Sequence, residues 1–138
     1  ESLEIRNPSA VRPWQHVLEP ITGYMKLVEK SFDDRSLCGP YNFGPDREDA
    51  FSVEKLITEI KPFFRNSKVS YVQNPSNQFT ESDWLALDNS KMKKLLNIKP
   101  KWKFKKAIEK TGKWYSDFYS GSDARDLCEK DMREFISL

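Results

Sequence analysis

Arg12 lies in the block Asn7-Pro-Ser-Ala-Val-Arg-Pro-Trp-Gln-His-Val-Leu-Glu-Pro20, with Pro8 before it, Pro13 directly after it and Trp14 next. A guanidinium makes two parallel charge-assisted bonds to phosphate oxygens, and the prolines restrict the backbone that carries it. The chemistry this setting suits is the holding of a diphosphate. Trp14 is placed either to line the same pocket or to fill core. His16 follows in an extended stretch, with no Cys or carboxylate spaced for metal or triad chemistry, so it reads as a hydrogen-bonded structural residue rather than a base. The carboxylate groups Asp33/Asp34, Asp46 with Glu48/Asp49, and Asp123/Asp126 have neither a partner His nor an apolar setting that would raise a pKa, and read as turn and capping residues. No catalytic group and no metal ligand set is expected.

Charge is unevenly distributed. Ten lysines stand between Lys91 and Lys113 with Glu109 as the one carboxylate among them, and six acids from Asp117 to Glu134 then reverse the sign. Lysines interleaved with Trp102, Phe104 and Trp114 invite a nucleic-acid reading. However, Phe104, Ala107, Ile108, Thr111, Tyr115 and Phe118 keep helical spacing, and arginine, the better phosphate fork, is nearly absent from the run. A solvated helix face is the expectation, with no nucleic-acid partner.

Six segments, in order along nearly the whole chain, resemble one family: the block 7–20, Tyr41-Asn-Phe-Gly-Pro45, Leu87-Asp-Asn-Ser-Lys91, Lys99-Pro-Lys-Trp102, Thr111-Gly-Lys-Trp-Tyr115 and Ser122-Asp-Ala-Arg-Asp-Leu-Cys128. Together they are similar to the substrate side of CDP-glucose 4,6-dehydratases, of the extended short-chain dehydrogenase/reductase class. The resemblance implies a cytoplasmic lyase of deoxysugar biosynthesis, as in lipopolysaccharide O-antigen, acting as a homodimer on a CDP-sugar with NAD. It implies that Arg12 contacts the nucleotide diphosphate and Trp14 its pocket. Related enzymes place an Arg near Gln78 and an acid near Glu81. Here Gln78 is neutral and still able to donate, and Thr80-Glu81-Ser82 keeps the acid but lacks the His of the family's His-Glu-Ala.

Two of that family's constellations have no counterpart. A dinucleotide turn needs closely spaced glycines, whereas Gly23, Gly39, Gly44, Gly112 and Gly121 stand far apart. A proton-transfer pair needs Lys four residues after Tyr. The residues four beyond the tyrosines are Val28, Pro45, Pro75, Tyr119 and Asp123. Residues 1–138 therefore read as a C-terminal nucleotide-sugar-binding portion of a longer enzyme, NAD being held by an N-terminal part and the portion alone being inactive. Another nucleotide-sugar epimerase or dehydratase, and more remotely a basic nucleic-acid-binding module, are the alternatives.

The elements that must position these residues follow from pattern. The fold class is α/β: a mostly helical portion of an extended short-chain dehydrogenase/reductase with a few short strands and no Rossmann cofactor half. At 138 residues, 38% hydrophobic and 32% charged, the chain suits one globular unit without a bilayer-spanning run. Strands are expected at Leu3–Asn7, Trp14–Val17, Tyr41–Phe43 and Lys68–Val72. A helix from Leu18 to about Phe32 repeats Leu18, Ile21, Met25, Val28 and Phe32 at three- and four-residue steps, and Ser52 caps a second from Val53 to about Lys61 with Leu56, Ile57 and Ile60 inward. Residues 73–83 read as an exposed loop, and 84–87 as extended. A short helix follows with Met92, Leu95 and Leu96 inward, then Phe104–Phe118 and Ala124–Ile136, the last docking through Ala124, Leu127, Cys128, Met132, Phe135 and Ile136. Cys38 and Cys128 read as reduced thiols. Strands near Trp14 and Phe43 would lie at an uncovered edge, so the chain alone is expected to pair with itself there.

Overall fold

The computed structural model describes residues 2–64, 68–71 and 82–138. Its elements are β1 (Ser2–Ile5), β2 (Val11–Arg12), α1 (Leu18–Asp33), β3 (Phe51–Ser52), α2 (Val53–Ile60), β4 (Lys68–Tyr71), α3 (Phe104–Tyr119) and α4 (Ala124–Ile136), with a π-type turn at Met92–Leu96. The strands make two small sheets: β1 runs parallel to β4, Ser2 opposite Lys68, and β2 runs antiparallel to β3, Val11 opposite Ser52. The mostly helical α/β class is borne out.

Helices α2 and α4 start where the sequence supplies an acceptor. Ser52 accepts from the Lys55 amide at 3.1 Å, and Asp123 from the amides of Arg125 and Asp126 at 2.9 and 3.1 Å. Val17 offers no such group to α1; His16 substitutes, its Nδ1 accepting from the Leu18 amide at 3.3 Å. The π-type turn ends at Asn97, whose φ of 54° is the left-handed conformation that Asn tolerates better than most residues.

The core gathers around the turn before α3. The Trp102 ring packs edge-on with His16 at 4.8 Å and with Phe135 at 5.0 Å between ring centres, and Leu96, Phe104, Ala107 and Ile108 are buried as well. Glu19 on α1 closes this cluster: its buried carboxylate accepts from the amides of Lys101 and Trp102 at 2.9 and 2.7 Å. Gly112 lets α3 approach Phe63, because a Cβ there would collide with the ring.

Four expectations need correction. Trp14–Val17 is not a strand, since Pro13 breaks the ladder and the Trp14 amide turns back to the Arg12 carbonyl at 3.1 Å. Tyr41–Phe43 is extended but unladdered, lying across α1 with Phe43 over Gly23 and no strand beside it among the described residues. On α1 the apolar stripe faces out: Met25, Val28 and Phe32 are 68%, 70% and 83% exposed, while Glu19 and Gly23 are buried. On α4, Phe135 of the expected stripe is buried, but Cys128, Met132 and Ile136 are exposed and Asp131 is buried in addition; Leu95, expected inward, is likewise exposed. Periodicity identifies a helix's apolar face, but which face is covered depends on what lies beside it.

Candidate functional site

β2 is the middle of a three-segment patch. β3 pairs with one side; on the other, Val11 bridges Trp84 in parallel, its amide donating to the Asp83 carbonyl at 2.8 Å and its carbonyl accepting from the Leu85 amide at 3.1 Å. Arg12 is half-buried at the centre. Its Nη1 donates to the carbonyls of Val11 at 2.8 Å and Ser82 at 2.9 Å. Gln78 and Glu81 lie outside the described residues. Ser82, whose carbonyl the guanidinium meets, is the next residue in the chain after Glu81.

Trp14 is half-buried and tied across β3, its Nε1 donating to the Phe51 carbonyl at 2.8 Å. The geometry joins Arg12 and Trp14 into one rigid strand-and-turn unit. His16 is held elsewhere, packed on Trp102 and accepting from the head of α1. Burial pushes its pKa below the ordinary value, partly opposed by the Asp131 charge, so the ring is neutral near pH 7. Among the described residues no cluster of His, Cys, Asp and Glu is placed to hold a metal.

Beside the patch runs an open groove of about 570 Å³ that includes Arg47, Trp84, Asn89 and Lys93 in its lining. The Arg47 guanidinium lies 4.5 Å from the centre of the Trp84 ring. Asn89 builds the floor: buried, its Nδ2 donates to the carbonyls of Gly44 and Pro45 at 3.1 Å each and to Asp46 Oδ1 at 3.0 Å. Lys93, followed by Asn89, holds the Asp46 carboxyl below its ordinary range. The sequence reading missed Arg47, Trp84 and Asn89. The one legible signal was Asn89's place inside the Leu87–Lys91 motif; Arg47 and Trp84 are brought together only by folding.

Part of the lysine run is paired with acids, most of them distant in sequence. Lys93 pairs with Asp46, Lys106 with Glu134 at 3.4 Å, and Lys113 with Asp117 at 3.1 Å. Lys110, expected on a solvated face, is buried between Asp131 and Glu134 and 5.3 Å from the Trp102 ring centre. Burial works against its charge, but the two carboxylates outweigh it and hold Lys110 above its ordinary value.

With this geometry in view, comparison with known proteins decides the resemblance. Over 134 residues the chain is 30% identical to an enzyme of Salmonella typhimurium. That enzyme is a CDP-glucose 4,6-dehydratase. The aligned residues are 96% of this chain and 37% of the enzyme, so the chain spans well under half the length of its relative. The resemblance carried by the six ordered segments is borne out. No protein-family model matches the chain. No described helix is long and apolar enough to cross a membrane.

Proposed function

We propose that this chain is the C-terminal, nucleotide-sugar-holding portion of an NAD-dependent CDP-glucose 4,6-dehydratase, a cytoplasmic homodimer converting CDP-glucose to CDP-4-keto-6-deoxyglucose. One observation carries the reading: an alignment over 96% of the chain to such a dehydratase, with the proline-bounded Arg12 inside it. The family's NAD, when bound, supplies the hydride acceptor and donor for oxidation at sugar C4 and reduction at C6.

The residues present do not fit that cofactor. Gly23, Gly44 and Gly112 are packing positions against Phe43, Leu87 and Phe63, and neither α1 nor α2 starts at a glycine turn that backbone could fold around a pyrophosphate. The part of the relative without counterpart here is the place for it. What this chain's residues do is bind and orient. Arg12 takes the nucleotide diphosphate, Trp14 walls the pocket through its fixed indole, and Gln78 and Glu81 are the remaining substrate-binding candidates of the sequence. Binding energy gathered on the nucleotide, remote from the bonds that change, holds the sugar in a reactive orientation.

The test is to supply the whole enzyme with CDP-glucose and, in parallel, with other nucleoside diphosphate glucoses, and to assay 4-keto-6-deoxy product. Turnover of CDP-glucose is expected. Epimerised product with no dehydration would instead favour the epimerase alternative. The lysine run gives no comparable support to nucleic-acid binding, because Lys93, Lys106, Lys110 and Lys113 are paired with carboxylates within the fold.

A further inference from the structure

Asn89 fixes the turn that carries Arg47. Its buried side chain donates to the carbonyls of Gly44 and Pro45 at 3.1 Å each and to the Asp46 carboxylate at 3.0 Å, so the three residues before Arg47 are tied to one amide group. A 3-10 turn at Arg47–Asp49 follows, closed by the Asp49 amide donating to the Asp46 carbonyl at 2.8 Å. From this base the exposed Arg47 guanidinium reaches the Trp84 ring. Its chain neighbours Asp46 and Glu48 pair with Lys93 and Lys103 instead. Residues 47–49 lead into β3, which lies on one side of β2, whereas Trp84 stands on the other side. Arg47 therefore straps together the two segments that flank the strand of Arg12.

The strapped segment needs such a fastening. Trp84 and Leu85 are both exposed, so the burial of its own side chains holds it weakly. Two backbone bonds tie it to Val11. The Arg12 guanidinium in turn depends on this segment, since Nη1 donates to the Ser82 carbonyl, two residues before Trp84. Successive strand residues alternate faces, so Trp84, the register partner of Val11, stands on the face opposite to the one that Arg12 leaves from. Arg47 is thus placed to act on Arg12 through the backbone of 82–84 rather than beside it. We propose that Arg47 is a positioning residue for Arg12: stacked on Trp84, it fixes the Ser82 carbonyl, and with it the direction in which the Arg12 guanidinium meets a nucleotide diphosphate. The proposal rests on the functional reading above. A guanidinium held in place beforehand loses less side-chain freedom on binding, so the strap raises nucleotide affinity without touching the nucleotide.

Two measurements on the whole enzyme test this. Hydrogen exchange at the Val11 and Leu85 amides, both engaged in the bridge between the segments, reads the strap without nucleotide. Arg47→Ala should speed both about two- to five-fold, the scale of a cation–ring contact at an exposed site. Arg47→Lys, which keeps a cation over the ring, should speed them less. The Trp102 amide, held by Glu19, should exchange alike in all three proteins, which verifies folding. Unchanged exchange at Val11 and Leu85 overturns the proposal. The second measurement is CDP titration in a double-mutant cycle. Arg47→Ala should weaken CDP binding about two- to five-fold when Arg12 is present and leave it unchanged in an Arg12→Ala background. Equal weakening in both backgrounds overturns the proposal, because Arg47 would then act by a route that does not pass through Arg12, and so does the absence of weakening when Arg12 is present. Wild-type CDP affinity in Arg12→Ala alone would sink the functional reading instead, and the exchange rates would then decide the strap by themselves.

Discussion

Arg12 is presented by a strand only two residues long, and its guanidinium already reaches the Ser82 carbonyl. In the whole enzyme, Arg12→Ala should weaken CDP-sugar binding by about 1.5–3 kcal/mol, the scale of one hydrogen-bonded charged contact, and leave NAD affinity unchanged. Arg12→Lys should recover only part of this, since an ammonium keeps the charge and loses the fork. Identical CDP dissociation constants for wild type and Arg12→Ala would make the residue structural. His16 predicts a pH effect. Burial depresses its folded-state pKa below the unfolded 6.5, so its contribution is present above that value and lost as pH falls through the folded-state value. Acid unfolding followed by circular dichroism should therefore steepen below about pH 6.5, and His16→Gln should flatten that limb. An unchanged profile would place the acid sensitivity in other groups.

Among the elements, α3 and α4 are joined by a buried ion pair that the expected apolar docking stripe did not include. Lys110 reaches Asp131 at 3.0 Å and also Glu134. Lys110→Met leaves the Asp131 carboxylate buried without its cation and should cost about 3–5 kcal/mol in urea unfolding, whereas Lys106→Met at the exposed neighbouring pair should cost less than about 1 kcal/mol. Adding Asp131→Leu to Lys110→Met should restore a large part of the loss. Equal costs for the two lysines would show that Lys110 is better hydrated than its burial indicates. Helix existence was legible in the sequence at this scale: the periodic runs and the caps Ser52 and Asp123 mark the start of α2 and of α4. Facing was not. The outward stripe of α1 and the Asp131 seat of α4 depend on neighbours that no local window contains.

For the whole molecule, 4-keto sugar formation from CDP-glucose and NAD should be undetectable with the 138-residue chain alone, because neither the glycine turn nor the Tyr–Lys pair is present. Product above the no-protein control would overturn the assignment of all chemistry to the rest of the enzyme. The order of six motifs along the chain determined the family resemblance, since local residue types and their order survive in the sequence whatever the packing. The same residues determined that Arg12, between prolines, is the anion-binding candidate. Only the tertiary structure decided that segments 14–17 and 41–43 form no ladder, for a strand exists only beside a partner strand. It alone brought Arg47 over Trp84, Asn89 under the Gly44–Pro45 carbonyls and Asp46 to Lys93, contacts separated by more than thirty positions. Such pairings arise from closing long loops, and closure is set by how whole elements pack rather than by the residues on either side of the contact.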